Sequence, residues 1–234
     1  ALIEALGEIE KVSLLLSAPL ETTRVMESDI LFTPGTSGNM DNWAPHGDFE
    51  LTPRPDGFRF TNTEREWHDA MMWTQQTFDG NHSYRTGFTP HTGPGGVIFA
   101  ICGTPKPGKD LSFSAREPME PYNTGIDAYH VSVYREGTGM TNLRRPGSGL
   151  KMLATQNPDP CDAAERTYEI RMLRFGRSRL FLVDDVLIHH YVDAGIYGPC
   201  LEEGHIGIRH WRNTEASYTD FTVSRLENTA AENP

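Results

Sequence analysis

From Tyr168 to Val192 the chain reads YEIRMLRFGRSRLFLVDDVLIHHYV. Tyr168, Ile170 and Met172 recur at every second residue, which is the period of a strand with one buried face. Gly176 and the Asp184-Asp185 pair carry turn chemistry, so this stretch predicts a three-strand antiparallel meander. The same grammar fills the chain from Asp29 onwards. DFELTPRPDGFRFTN predicts a hairpin about PRPDG, and HDAMMWTQQTFDGNHSYRTGFTP predicts two strands joined at Asp79-Gly80. VIFAICG is a continuous apolar run, as expected of a strand covered on both faces. TPGTSGNMDNWAPHG reads as a polar loop, MTNLRRPGSGLKMLATQ as strand, turn and strand, and GHIGIRHW and ASYTDFTVSRL as the closing strands. Short strands at regular spacing imply a sandwich or barrel. The 22 glycines and 16 prolines are scattered rather than clustered, which disfavours long helices, and 234 residues fit one all-β domain.

Residues 1–28 are expected to form an N-terminal appendage, including a short helix with Leu2, Leu6 and Ile9 on one side. Residues 29–227 form the sandwich domain, and 228–234 a polar, disordered tail. VSLLLSAPL is too short to span a bilayer. A start at Ala1 suggests removal of a signal peptide or tag, so a secreted or periplasmic location is expected, with the cytoplasm as the alternative. Cys102, Cys161 and Cys200 are widely spaced and lack a CxxC pair, which argues against a zinc site or a disulfide framework.

A formal charge of -11 argues against nucleic acid and anionic membranes as partners, because both are bound through basic surfaces. Of the basic residues only Lys11, Lys106, Lys109 and Lys151 are lysines. Arginine's planar fork meets carboxylate or sulfate with two parallel hydrogen bonds, so an anionic partner remains compatible with the net charge, although biased codon usage explains the same preference.

The segment DAYHVSVYREG, residues 127–137, sets Tyr129, Val131 and Val133 on one face and His130, Ser132 and Tyr134 on the other. An imidazole, a hydroxyl and a phenol in a row suit a groove better than open solvent. Residues two apart on a strand are separated by about 6.6 Å and four apart by about 13 Å, so His130 and Tyr134 serve neighbouring subsites at best. A partner for His130 belongs on an adjacent strand, about 4.8 Å away. Arg209, alternating with Ile206 and Ile208, and Trp73 or Gln75 in MMWTQQ are candidates. His189 and His190 point to opposite faces and cannot chelate one metal.

The pieces LFLVDDVLIHHYVD, GHIGIRHW and ASYTDFTVSRL resemble the closing strands of concanavalin A-like jelly-roll domains that act on carbohydrates. The ordered set AYHVSVYR, TNLRRPGSG, YGPCLEEGHIGIRHW and SYTDFTV resembles the YesU-like family (domain of unknown function 1961), over roughly Trp43 to Leu226. The resemblance implies a β-sandwich of two curved antiparallel sheets, from bacteria that break down plant or algal polysaccharides, with no established reaction. Its motif positions include His130, Ser132, Arg135, Asn142, Arg144, Arg209, Tyr218 and Phe221. Tyr134 stands where the family accepts an aromatic of either kind.

Such sandwiches bind glycans on the concave sheet. Elimination from a uronate needs donors that neutralise the carboxylate, a base for the C5 proton and an acid for the leaving oxygen. His130 is the expected base and Tyr134 the acid; Arg135 or Arg144, with Asn142 in the turn after the strand, would clamp the carboxylate. Ser132, Trp73, Gln75, Arg209 and Trp211 complete the expected substrate contacts, Trp211 as a stacking platform. Jelly-roll hydrolysis, for which paired carboxylates on a strand are lacking, and a non-catalytic, lectin-like module are the alternatives. No cofactor is expected; structural calcium, common in such sandwiches, is the one ion considered, though no Asp-rich loop stands out. The expected partner is an oligosaccharide or polysaccharide of anionic character, met by a monomer or homodimer.

Overall fold

The computed structural model describes residues 25–33, 41–47, 49–62, 69–91, 95–112, 124–135, 139–147, 149–211 and 213–228. The expected N-terminal helix and the tail beyond residue 228 lie outside them. Among the described residues, fifteen strands pair in two antiparallel sheets. The front sheet runs, in spatial order, β10 (Lys151–Gln156), β9 (Thr141–Arg145), β8 (Ile126–Val133), β7 (Val97–Pro105), β14 (His205–His210), β5 (Ala70–Thr74) and β2 (Trp43–His46). The back sheet runs β13 (Val186–Val192), β12 (Ser178–Val183), β11 (Tyr168–Phe175), β6 (His82–Pro90), β15 (Glu215–Asn228), β4 (Gly57–Thr61) and β3 (Glu50–Arg54), with β1 (Val25–Phe32) also laddered to β15.

The meander expected from the alternation is β11–β12–β13, with Gly176, Asp184 and Asp185 all at positive φ in its turns. The PRPDG hairpin is β3–β4. The two strands flanking Asp79-Gly80 do not pair: β5 lies in the front sheet and β6 in the back, so that segment crosses between layers. The stretch read as a polar loop contains β2, anchored by Trp43, which is almost fully buried. Four residues including a proline are too few to show a period. The sandwich also begins before Asp29, since β1 starts at Val25 and ladders against the end of β15.

Between the sheets lies an aromatic core. Phe99 of the front sheet meets Phe88 of the back sheet edge to face, with centroids 5.5 Å apart, and Phe88 stacks on Tyr218 at 5.7 Å. Pairs of this kind add about 0.5–1.5 kcal/mol each beyond the area they bury. Tyr129, Val131 and Val133 of β8 point into this core, as the alternation required, which turns His130 and Ser132 to the outer face of the front sheet. The outer face of the back sheet is a set of ion pairs, Arg171 with Glu27 at 2.7 Å and Arg85 with Glu169 at 3.3 Å, typical of a solvated surface.

Candidate functional site on the outer face of the front sheet

Strand register assembles the site in two rows. In the first, Arg144 of β9 faces His130 of β8, followed by Ala100 of β7, Gly207 of β14, Trp73 of β5 and Ala44 of β2. In the second, one pleat away, Asn142 faces Ser132, followed by Ile98, Arg209, Met71 and His46. Asn142 and Arg144 therefore stand on β9 itself rather than in a turn, and Arg144 is the cross-strand neighbour of His130.

The two tryptophans depend on glycines. Trp73 is fully buried, and its ring lies so close over Gly103 and Gly207 that neither has room for a Cβ. Trp211, just past β14, lies on Gly96, where a Cβ would come within 2.6 Å of the ring. The Arg135 guanidinium covers the same indole at 5.2 Å from its centroid, a cation–π contact.

Around His130 the charge is positive. Burial, then Arg144, Arg209 and Arg135 in that order, push its imidazole well below the ordinary histidine range, so it is neutral. Arg209 is ion-paired to Asp69. With the Asn142 amide donating to Thr155 Oγ1 at 2.9 Å and to the Thr141 carbonyl at 3.3 Å, its oxygen accepts from Arg135. Arg144 is half-buried and has neither a hydrogen bond nor an ion pair among the described residues; burial, and secondly Arg135, lower its pKa. The buried Ser132 hydroxyl is likewise without a partner among them. This is a half-buried cation facing a second cation, flanked by an unused hydroxyl: the chemistry of a receptor for an oxyanion.

The sequence profile of a family described as domain of unknown function (DUF1961) matches residues 33–223. The chain belongs to this family. No curated protein matches this DUF1961 chain. Among solved structures it is similar to a protein of unknown function with a galectin-like fold from Bacillus subtilis, at 23% identity and a TM-score of 0.75, covering 86% of this chain and 98% of that one. The carbohydrate-binding module CBM66 from Bacillus subtilis matches at 15% identity and a TM-score of 0.56, covering 80% and 97%. The exoplasmic/lumenal domain of VIP36, in a Ca2+/Man3GlcNAc-bound form, matches at 13% identity and a TM-score of 0.52, covering 83% and 86%. The fold is thus the galectin-like, concanavalin A-like jelly roll.

The DUF1961 fold brings together His130, Ser132, Asn142, Arg144, Arg135 and Arg209, with Trp73 and Trp211 packed against backbone glycines. It leaves two expected residues apart. Gln75 lies beyond β5, and its Nε2 donates to the Trp43 carbonyl at 3.3 Å. Tyr134 follows the end of β8 at a φ of 51°, which swings its ring from the His130 row to the edge of the inter-sheet core. Asp69 and His46 went unnoticed in the sequence: one precedes its strand, and the other sits in a strand too short to show alternation. Burial holds the His46 imidazole below its ordinary range. Among the described residues no group of three or more His, Cys, Asp or Glu is placed to hold a metal ion, and no helix is long and apolar enough to cross a membrane.

Proposed function

We propose that this DUF1961 chain is a glycan-binding module whose front-sheet face takes an acidic saccharide, with Arg144 and Arg135 as receptors for a carboxylate. The observation that carries it is the Arg144 guanidinium, half-buried, beside another cation and without an anionic partner among the described residues, on a sandwich similar to a carbohydrate-binding module and to a glycan-bound lumenal domain. A uronate would offer two coplanar oxygens to such a fork.

Binding is favoured over elimination on two counts. A catalytic base works best with a pKa near the operating pH, whereas His130 is driven far down by burial and three arginines. The phenol expected as the acid is turned out of the row. A module that binds polysaccharide works where the polymer is, so a secreted or periplasmic location follows from this function.

Titration calorimetry with oligogalacturonate, its methyl ester and a neutral oligosaccharide tests this, with ultraviolet absorbance and reducing ends followed in parallel. Saturable binding of the acid form alone is expected, without new absorbance or new ends, and Arg144→Gln should weaken it about tenfold or more, the worth of a charge-assisted hydrogen bond. New absorbance would restore elimination, and equal binding of the ester would remove the carboxylate contact. Guanidinium–carboxylate recognition needs no bridging ion, so a chelator should leave the affinity unchanged; a loss on chelation that calcium restores would instead place a metal in the site.

A further inference from the structure

The inter-sheet space changes character at the end of the sandwich where β6, β8 and β12 begin and β11 ends. The core there contains Arg145, Arg174, Arg179 and Asp193, all buried, with His82, Tyr129 and Cys102. Arg145 is ion-paired to Asp193 at 2.8 Å, and the Tyr129 hydroxyl donates to the same carboxylate. Arg179 lies over the Tyr129 ring at 4.5 Å and spends its donors on the carbonyls of Gly176, Ser178 and Leu201 and on Cys200 Sγ at 3.2 Å. Burial foremost, with Arg174 and Arg179 adding, holds His82 at about 4, so it is neutral.

Arg174 has no such arrangement. It is 6% exposed, its Nε is unsatisfied, and it has no hydrogen bond or ion pair among the described residues. Among these buried groups three guanidiniums stand against one carboxylate, an excess positive charge that is unfavourable in low dielectric unless something compensates it. The way out lies beside it: Arg174 lines a cleft of about 620 Å³, walled by Cys200 and Leu201 and rimmed by Asp79, Asp127, Glu202 and Glu203.

We propose that this cleft is a second ligand site, for a small hydroxycarboxylate carrying a single negative charge, with Arg174 as its counter-charge. The floor supplies an unpaired bidentate donor buried in low dielectric, where a carboxylate gains most. The four rim carboxylates are acceptors, and they repel anions at longer range. Together they select a ligand with one acid group at its tip and hydroxyl donors along its body, and they reject sulfate, phosphate and polyanions. The site lies between the sheets, apart from the Arg144 face, and does not depend on the function proposed there.

Glucuronate is the probe, with glucose and sulfate as the neutral and divalent arms, titrated by calorimetry against the full chain. In the Arg144→Gln chain, whose front-face receptor is removed, glucuronate is expected still to bind, with neither other arm binding measurably; Arg174→Gln added to that chain should weaken it about tenfold or more. Because it removes an uncompensated buried charge, Arg174→Gln should melt no lower than the parent. No glucuronate binding in the Arg144→Gln chain, no loss of affinity on adding Arg174→Gln to it, or sulfate binding as tightly as glucuronate would each overturn the assignment. Should Arg174→Gln fail to fold, the Glu202→Gln, Glu203→Gln chain decides: sulfate should now enter, and its continued exclusion would show that the rim is no filter.

Discussion

His130 and Arg144 show how far a residue's job is set by its neighbours. The alternation in DAYHVSVYREG was enough to put His130 and Ser132 on one face, because strand period and core burial fix that phase. What the imidazole does there depends on three arginines from β9, β14 and the segment after β8, which no local pattern announces. The buried histidines carry a shared consequence. His82 and His189 are held at about 4 and His210 at about 3, in each case by burial before any other cause. Their pKa values are depressed in the folded state, so the unfolded chain binds more protons. Stability is therefore full above the unfolded value of about 6.5 and falls as pH drops towards 4, by up to about 1.4 kcal/mol per pH unit for each such histidine. Urea midpoints measured between pH 7 and pH 4 check this, and His82→Gln should make the slope shallower. A second expectation concerns His210, whose Nε2 meets the Tyr218 hydroxyl at 2.6 Å in full burial. Tyr218→Phe strands that nitrogen and should cost about 1–3 kcal/mol in denaturant unfolding.

At the scale of elements, the front sheet is legible where its strands are long and obscure where they are short. β14 was plain from GHIGIRHW, whereas β2 was hidden in a segment of proline, glycine and polar residues, and with it His46. Tyr134 was misplaced because alternation assumes extended backbone, and a left-handed residue at the end of β8 breaks it. The middle of the sheet carries small side chains so that Trp73 can lie flat on β14. Gly207→Ala drives a methyl into the Trp73 ring and the Met71 terminus, and should lower stability by about 1–3 kcal/mol, with a change in tryptophan fluorescence as the companion signal. The Asp79-Gly80 turn was equally clear, but nothing in it tells whether the flanking strands pair or pass to opposite sheets. That depends on partners outside the segment, β2 and β14 for β5 and β11 and β15 for β6.

Across the whole molecule, a net charge of -11 stands against a front face built on arginine. On the function proposed, long-range repulsion would slow the approach of a polyuronate, whereas a contact at Arg144 would act only at close range. Raising salt should therefore speed association of long polymers while weakening the bound state of short oligomers, which stopped-flow and equilibrium titrations over a sodium chloride series will separate. If the association rate instead falls with salt along with the affinity, the attraction of the local arginines outweighs the net charge even at a distance.

The first and last described strands add something about use. Val25 of β1 stands opposite Asn228 of β15 in the back sheet, so the outer ends of the first and last described strands lie one strand spacing apart, on the layer that does not carry the arginine face. A unit with both ends at one point behaves as a cassette: it can be spliced into a surface loop of another protein, or re-opened elsewhere with those ends joined by a short linker, while its front sheet continues to face outwards. Valency, on the function proposed, then becomes a matter of how many copies are threaded along one polypeptide, since each would be joined at an edge of its back sheet.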